Sequence, residues 1–369
     1  MWQVSDIKWV DWDISSVCNA GCIDCVRWLP DSDNHYHLNG HHPAFNQLYD
    51  PRLFADHITQ FDDLEYVQLL GNVGDPMANA HIDQMVHAVA RHHQSARIEI
   101  NTNGSLGSES VWQRLIAAAV EVSDRINMVF SIDGLEHTNH IYRRGCDWHR
   151  ILERAKWWLA AGLDAEWKMI DFPFNADQRD SARDMARDMG FKQFTVFPRQ
   201  TPTAEFDQLI IDHSQQPQST QLYQQSYQAD WHDQYDQQME ILHAWHPQGI
   251  APKCQSQHSS GKGHHVPNFQ INVDSSVWPC SWTSCMDSQK NQPLRLKWHQ
   301  INQHYETTLG QGWNQLKHRS LAEILNSPWF KHDLAESWQD SQFSLSVCWL
   351  ECGACKPKIT VDTNSFKSQ

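Results

Sequence analysis

Between residues 9 and 200, short apolar runs alternate with amphipathic stretches, and this rhythm constrains the fold more than any other feature of the chain. Strand candidates are WVDWDI (9–14), YVQLLG (66–71), ARIEIN (96–101), NMVFSI (127–132), EWKMID (166–171) and QFTVF (193–197). Between them lie helical patterns such as AHIDQMVHAVARHH (80–93), SESVWQRLIAAAVEV (108–122), RILERAKWWLAA (150–161) and ADQRDSARDMARDMG (176–190), the last ending on Gly190 as a C-cap. Strand–helix alternation implies parallel strands joined by right-handed crossovers. Six such units fit an open (β/α)6 barrel or a doubly wound sheet, and either fold places chemistry at the C-terminal ends of its strands.

The polar punctuation follows that rule. CNAGCIDC comes after the first strand, GNVGDP (71–76) after the second, NTNG (101–104) after the third and SIDG (131–134) after the fourth. Any one of these is ordinary turn chemistry, since Asn-Gly, Asp-Gly and Asp-Pro favour turns. Four at the same end of consecutive strands point to a site. Beyond residue 200 the character changes. Residues 201–253 are Gln-rich and polar, expected as a linker or insertion with a helix near 232–245. From 254 the pattern turns strand-like in FQINVDSSVWPC (269–280) and helical in SLAEILNSPWFK (320–331). The expected division is a barrel over 1–200, the linker or insertion, and a small α+β cysteine-rich domain over 254–369. A chain of 369 residues exceeds what one core supports, which agrees with a large and a small domain.

Composition narrows the function by exclusion. A net charge of −15 argues against a nucleic-acid partner. MWQVSDIKWVDWDISS has no basic start followed by an apolar run, and no stretch approaches the ~20 apolar residues of a membrane span. A cytoplasmic location is expected, where thiols stay reduced, so the ten cysteines are not read as disulfides. Their distribution suggests two metal centres: Cys18, Cys22 and Cys25 form one cluster, and Cys254, Cys280, Cys285, Cys348, Cys352 and Cys355 a second, with Cys146 alone as a small buried hydrophobe.

Three thiols are one short of the four that complete a structural zinc or an ordinary cubane cluster. They can hold a [4Fe–4S] cube and leave one iron open to an exogenous chelate. CxxxCxxC after the first strand of a β/α barrel closely resembles the radical S-adenosylmethionine (SAM) superfamily. That resemblance implies a partial (β/α)6 barrel, a SAM-binding [4Fe–4S] cluster on Cys18, Cys22 and Cys25, and reductive cleavage of SAM to a 5′-deoxyadenosyl radical that abstracts a substrate hydrogen. GNVGDP resembles the family's Gly-Gly-Glu-Pro motif, with Val73 for glycine and Asp75 for glutamate. Gly74 and Asp75 would then hold the SAM ammonium, while Asn103, Ser131 and Asp133 would meet the ribose or the substrate. HIYRRGCDWHRIL (140–152) resembles the Arg-Gly element that follows, with Arg144 rather than Arg143 assigned the carboxylate contact. For Asn103 and Ser131, capping and turn satisfaction compete with these roles.

SVWPC and CWLECGAC resemble the SPASM or shortened twitch extension of such enzymes. Four of Cys254, Cys280, Cys348, Cys352 and Cys355 would bind one auxiliary [4Fe–4S] cluster, Cys285 being the weakest candidate. A four-thiolate structural zinc is the rival reading. The resemblance further implies a reductant such as ferredoxin or flavodoxin. Oxidation or cross-linking of a peptide or protein side chain is the leading substrate class, although only 17 residues precede Cys18, too few for a leader-binding domain. Oxidation or epimerisation of a small polar metabolite is the alternative, and a non-catalytic iron–sulfur carrier or zinc module the alternative of another class. Histidines at HHPAF, RHHQ and GHHVP lack carboxylate spacing and are read as surface or capping groups. Trp157, Trp158 and Trp167 are read as core. Lys168 and Asp171 lie on opposite faces of the fifth strand, so at most one points into the barrel.

Overall fold

The computed structural model describes residues 2–25, 27–30, 36–38, 46–199, 204–216, 239–240, 244, 257–259, 265–280, 292–339, 348 and 362–365. Six parallel strands form in sequence order: β1 (Trp9–Asp13), β2 (Tyr66–Leu70), β3 (Arg97–Thr102), β4 (Ile126–Ser131), β5 (Asp164–Asp171) and β6 (Gln193–Pro198). The connecting helices are α1 (Pro51–Ile58), α2 (Ile82–His92), α3 (Glu109–Val120), the short α4 (Asn139–Tyr142), α5 (Trp148–Ala160) and α6 (Arg179–Met189). Their ends are set locally. Asp50, Ser108 and Asp147 cap α1, α3 and α5 by accepting first-turn N–H groups, and Gly190 closes α6 at φ 94°.

The two faces of the sheet differ sharply. Val10 and Trp12, Val67 and Leu69, Ile98 and Ile100, Met128 and Phe130, and Trp167 and Met169 alternate onto the outer face, all fully or nearly fully buried. There they meet the apolar stripes of the helices, such as Met85, Val86 and Val89 of α2 and Trp112 and Leu115 of α3. Burying each such side chain contributes about 1.5–3 kcal/mol. Trp158 and Trp167 are core residues, and Trp157 is partly buried against them. The inner face instead carries Asp11, Gln68, Asn101, Ser131 and Lys168, one from each of β1 to β5, and all five line one cavity. Strands at opposite ends of this series share a cavity only if the sheet curls. This is the α/β partial barrel expected from the sequence, with a polar lumen where a closed barrel packs apolar layers.

The sheet runs across the boundary expected at residue 254. A seventh parallel strand, β7 (His265–Ile271), pairs with β1 from Trp9↔Asn268 to Trp12↔Ile271, and β8 (Val277–Trp278) adds antiparallel to β7. At the other edge β9 (Asp362–Ser365) pairs antiparallel with β6. The physical reason is edge satisfaction: both terminal strands of an open barrel present unpaired backbone groups, and the C-terminal segment covers them. Helix α7 (Ala204–Ser214) falls within the span expected as a linker and buries Ile210 and His213. The helix expected near 232–245 lies almost wholly outside the described residues.

Candidate functional site

The four polar loops meet at the C-terminal ends of the strands. Cys18, Cys22 and Cys25 line one cavity of about 380 Å³ with Gly71, Asn72, Gly74 and Asp75 of the second loop, Asn103 of the third, Ser131, and Arg143. None of the three cysteines is in a disulfide.

The second loop clamps the cysteine loop from beneath. Gly74 lies so close to the first loop that a Cβ there would stand 2.2 Å from the Ser15 carbonyl oxygen, and a Cβ on Gly71 would stand 2.4 Å from the Gly74 carbonyl carbon. Glycine is required at both positions by close approach. The Asp75 N–H donates to the Val17 carbonyl at 2.8 Å, and Arg27 donates to the carbonyls of Ser16 and Val73. Val73, the departure from the family motif, is buried and contributes its backbone oxygen to this contact.

Asp75 is 3% exposed, and its carboxylate accepts from Met77 N–H (2.9 Å), Asn103 N–H (2.7 Å) and the Thr102 hydroxyl (2.9 and 3.1 Å). It therefore ties the second loop to the third. Burial raises its pKa, opposed by these hydrogen bonds. Asn103 accepts the Ser105 N–H on its side-chain oxygen, which satisfies the turn, and donates its amide to Asn19 at 3.0 Å and to Cys18 Sγ at 3.5 Å. Turn satisfaction and a site contact coexist in this one residue.

Asp133 is wholly buried and pairs with Arg143 at 2.6 Å, which makes it a support for the site wall. Arg143 also reaches 3.8 Å from Cys22 Sγ. Arg144, the residue assigned the carboxylate contact from the sequence, turns away: it donates to the His213 ring and the Gln216 carbonyl. Residues 143 and 144 follow α4 with separate sets of partners, and it is Arg143 that lines the cavity. The backbone after them still supports the site, since the Arg144 carbonyl accepts the Gly21 N–H at 2.8 Å and the Gly145 carbonyl accepts the Asn19 amide at 2.9 Å. On β5, Lys168 lines the cavity and Asp171 binds Arg179 at 2.9 Å, as alternation requires.

Burial pushes the Cys18 thiol up to about 12, with the Asp75 charge adding to it, and burial pushes Cys22 to about 11. Such thiols keep their protons unless a cation sits among them, and a bound metal centre reverses that balance. Among the described residues no three His, Cys, Asp or Glu side chains converge tightly enough to hold a single metal ion. The three sulfurs instead stand along a cavity wall, with an amide and a guanidinium aimed at two of them. Three soft donors on one cavity wall, with N–H groups at two of the sulfurs, are a donor set that thiolate-bound metal chemistry can use, an iron–sulfur cluster included.

Of the candidate auxiliary ligands, Cys280 and Cys348 are described, both buried and neither in a disulfide. Cys254, Cys352 and Cys355 lie outside the described residues, as does Cys285. Cys146 is buried against the core. No helix among the described residues is long and apolar enough to cross a membrane.

No protein-family model matches the chain, and no curated protein matches it by sequence. Solved structures do match. SuiB of Streptococcus suis bound to S-adenosylmethionine aligns at 14% identity with a TM-score of 0.47, over 75% of this chain and 61% of that one. Native anSMEcpe with bound AdoMet aligns at 11% identity and a TM-score of 0.49, over 90% of this chain and 84% of that one. The same protein with AdoMet and the Kp18Cys peptide gives 12% and 0.49. The chain thus spans 61% of the length of SuiB. At these identities the likeness concerns fold alone. The chain has the α/β partial-barrel architecture expected from its sequence, with the three-cysteine loop following the first strand.

Proposed function

We propose that the chain is a radical SAM enzyme whose [4Fe–4S] cluster is held by Cys18, Cys22 and Cys25 with one iron left to the amino and carboxylate groups of SAM. The observation that carries this reading is the cavity at the strand ends that Cys18, Cys22 and Cys25 line together; Cys146 is buried within electrostatic reach of Cys22 and Cys18 but is not in that lining. When bound there with SAM, a reduced cluster would supply the radical chemistry that removes a hydrogen from the substrate.

The chain's own residues do the positioning. Gly74 and Asp75 fix the floor under the cysteine loop, and the SAM ammonium is assigned to this loop. Asn103 and Arg143 direct N–H groups at Cys18 and Cys22, where they stabilise negative charge on sulfur. Ser131 and Arg143 lie on the wall assigned to the rest of SAM. An auxiliary cluster on four of Cys254, Cys280, Cys348, Cys352 and Cys355 would accept an electron from the substrate or bind it, and a ferredoxin or flavodoxin would deliver the reducing electron in the cytoplasm.

A peptide or protein side chain is the substrate class that the resemblance favours, modified by oxidation or cross-linking. A small polar metabolite is the second reading, favoured by the polar lumen of Asp11, Gln68, Asn101 and Lys168. The test is product analysis. Anaerobically reconstituted protein with dithionite and SAM should release 5′-deoxyadenosine, and Cys22→Ala should not. Absence of product despite intact cluster absorbance would refute the reading.

A further inference from the structure

The lumen of the barrel has a charge balance that the cysteine site does not use. Three cationic side chains line the cavity. Arg27 is committed to the carbonyls of Ser16 and Val73, and Arg143 to Asp133. The third, the Lys168 ammonium, makes no hydrogen bond or ion-pair contact among the described residues, the residue's carbonyl accepting the Ile132 N–H. Its ammonium lies over the Phe197 ring, 4.3 Å from the centroid. Its Cα is level with Ser131, the last residue of β4, three residues short of the end of β5. It therefore sits deeper in the lumen than the cysteine loop, with Asp11 and Gln68 on the opposite strands of the same cavity.

Desolvating an ammonium without a partner is costly, and burial with the repulsion of Arg143 accordingly lowers the Lys168 pKa, while Glu166, Glu99 and Asp133 pull it back up. A half-buried ammonium whose side-chain contact among the described residues is an aromatic ring keeps its N–H donors for a ligand that accepts them. The surrounding wall limits that charge. Asp11 and Asp75 are in the lining, and Glu99 and Glu166 lie on the same lumen face below it. A dianion would meet these carboxylates with one lysine to offset them. A single negative charge matches one ammonium.

We propose that Lys168 is the substrate anchor of this barrel and receives a carboxylate, so that the substrate is an acid: an acidic side chain of a peptide, or a small carboxylic acid. The inference deepens the radical SAM reading and rests on it for the position of the reacting hydrogen, which lies between Lys168 and the cysteine loop. The carboxylate accepts hydrogen bonds from the ammonium, and the carbon chain beside it extends toward Cys18, Cys22 and Cys25. Phe197 packs under the lysine head and holds it in the lumen.

The test is residue-resolved protection. Full-length reconstituted protein is dimethylated at limiting reagent under anaerobic conditions, and each lysine is quantified by mass spectrometry. The probes are acetate, N-acetylglycine and an N-acetylated, C-amidated hexapeptide with one glutamate; acetamide, the same capped peptide with glutamine in place of glutamate, inorganic phosphate and SAM are the controls. Each good charge-assisted contact changes affinity by about ten- to a hundred-fold, so the acids should suppress labelling of Lys168 several-fold at concentrations where acetamide and the capped glutamine peptide do not. The exposed Lys156 and Lys317 should be unaffected. Protection by the peptide or by the free acids identifies the source of the carboxylate, and either supports the inference. Equal protection by acid and amide, or protection by none, overturns it. Stronger protection by phosphate overturns the single-charge class, and shielding by SAM alone assigns the lysine to the cofactor site instead. Release of 5′-deoxyadenosine from the same preparation decides the underlying reading separately, so either can fail without the other.

Discussion

The side-chain amide of Asn103 donates to Cys18 Sγ across 3.5 Å, joining the end of the third strand to the first cysteine of the motif. A hydrogen bond to a thiolate stabilises the extra electron of a reduced cluster. Asn103→Ala is therefore expected to lower the reduction potential of the SAM-binding cluster, and Asn103→Asp, which adds negative charge, to lower it further. An EPR-monitored redox titration of each variant checks the order; an unchanged potential would remove Asn103 from the sulfur environment.

Gly74 tests the fit of the first two loops. A Cβ at this position would lie 2.2 Å from the Ser15 carbonyl oxygen and 2.7 Å from Ser16 Cα, both backbone atoms that cannot swing aside. Gly74→Ala should destabilise the cluster-free protein by about 1–3 kcal/mol, the usual range for overpacking, and should reduce iron incorporation. Gly162, with nothing within 4 Å of a Cβ but φ 76°, provides a control in which backbone strain acts without a clash.

The Asp133–Arg143 pair predicts a non-additive cycle. Asp133 is fully buried, with the Arg143 side chain 19% exposed. Removing one partner of a buried pair leaves an uncompensated charge and costs about 3–5 kcal/mol. Asp133→Asn and Arg143→Met should each lower stability in this range, and the double variant should lose clearly less than their sum. Denaturant unfolding of the cluster-free protein measures all three. Arg144→Met disturbs the contact with α7 instead, and should leave SAM binding by the reconstituted protein intact.

Asp13 sets a pH dependence. Burial lifts its carboxyl from 3.8 to about 7, helped by Asp11 and Asp274 and opposed by hydrogen bonds from Asn72 N–H and Gln270. The folded chain therefore keeps a proton that the unfolded chain releases at lower pH. Between roughly pH 4 and 7 the native state binds more protons, so this group's contribution to stability falls as pH rises, and it is flat above. Asp13→Asn should flatten that slope, seen as a smaller loss of melting temperature between pH 5 and pH 8 than in the wild type.

The barrel was legible because its signals are local. Each outer-face strand residue, such as Ile98 or Trp167, announces itself by alternation, and the polar loops mark one end of the sheet. The clamp on the cysteine loop was partly legible through Gly74, although the sequence assigned Asp75 to the cofactor while the structure shows its carboxylate binding Met77, Thr102 and Asn103. Arg143 and Arg144 could not be separated by pattern, because the choice depends on how the chain leaves a single-turn helix. The strand at 265–271 was read in part, from residue 269, but its place in the sheet was hidden, as was the strand at 362–365, for a related reason: pairing between β1 and β7 spans more than 250 residues, and no local periodicity records a partner that distant. Lys168 was narrowed to one of two by alternation, and its lumen position follows from the curl of the sheet.

The central claim is an iron–sulfur cube on Cys18, Cys22 and Cys25 with one iron open. The most direct measurement is the EPR spectrum of the dithionite-reduced, anaerobically reconstituted protein before and after addition of SAM, with Cys22→Ala as the blank. A reduced-cluster signal absent from Cys22→Ala should shift when SAM binds the open iron. A signal that Cys22→Ala retains, or one that SAM leaves unchanged in fully iron-loaded protein, would contradict the account.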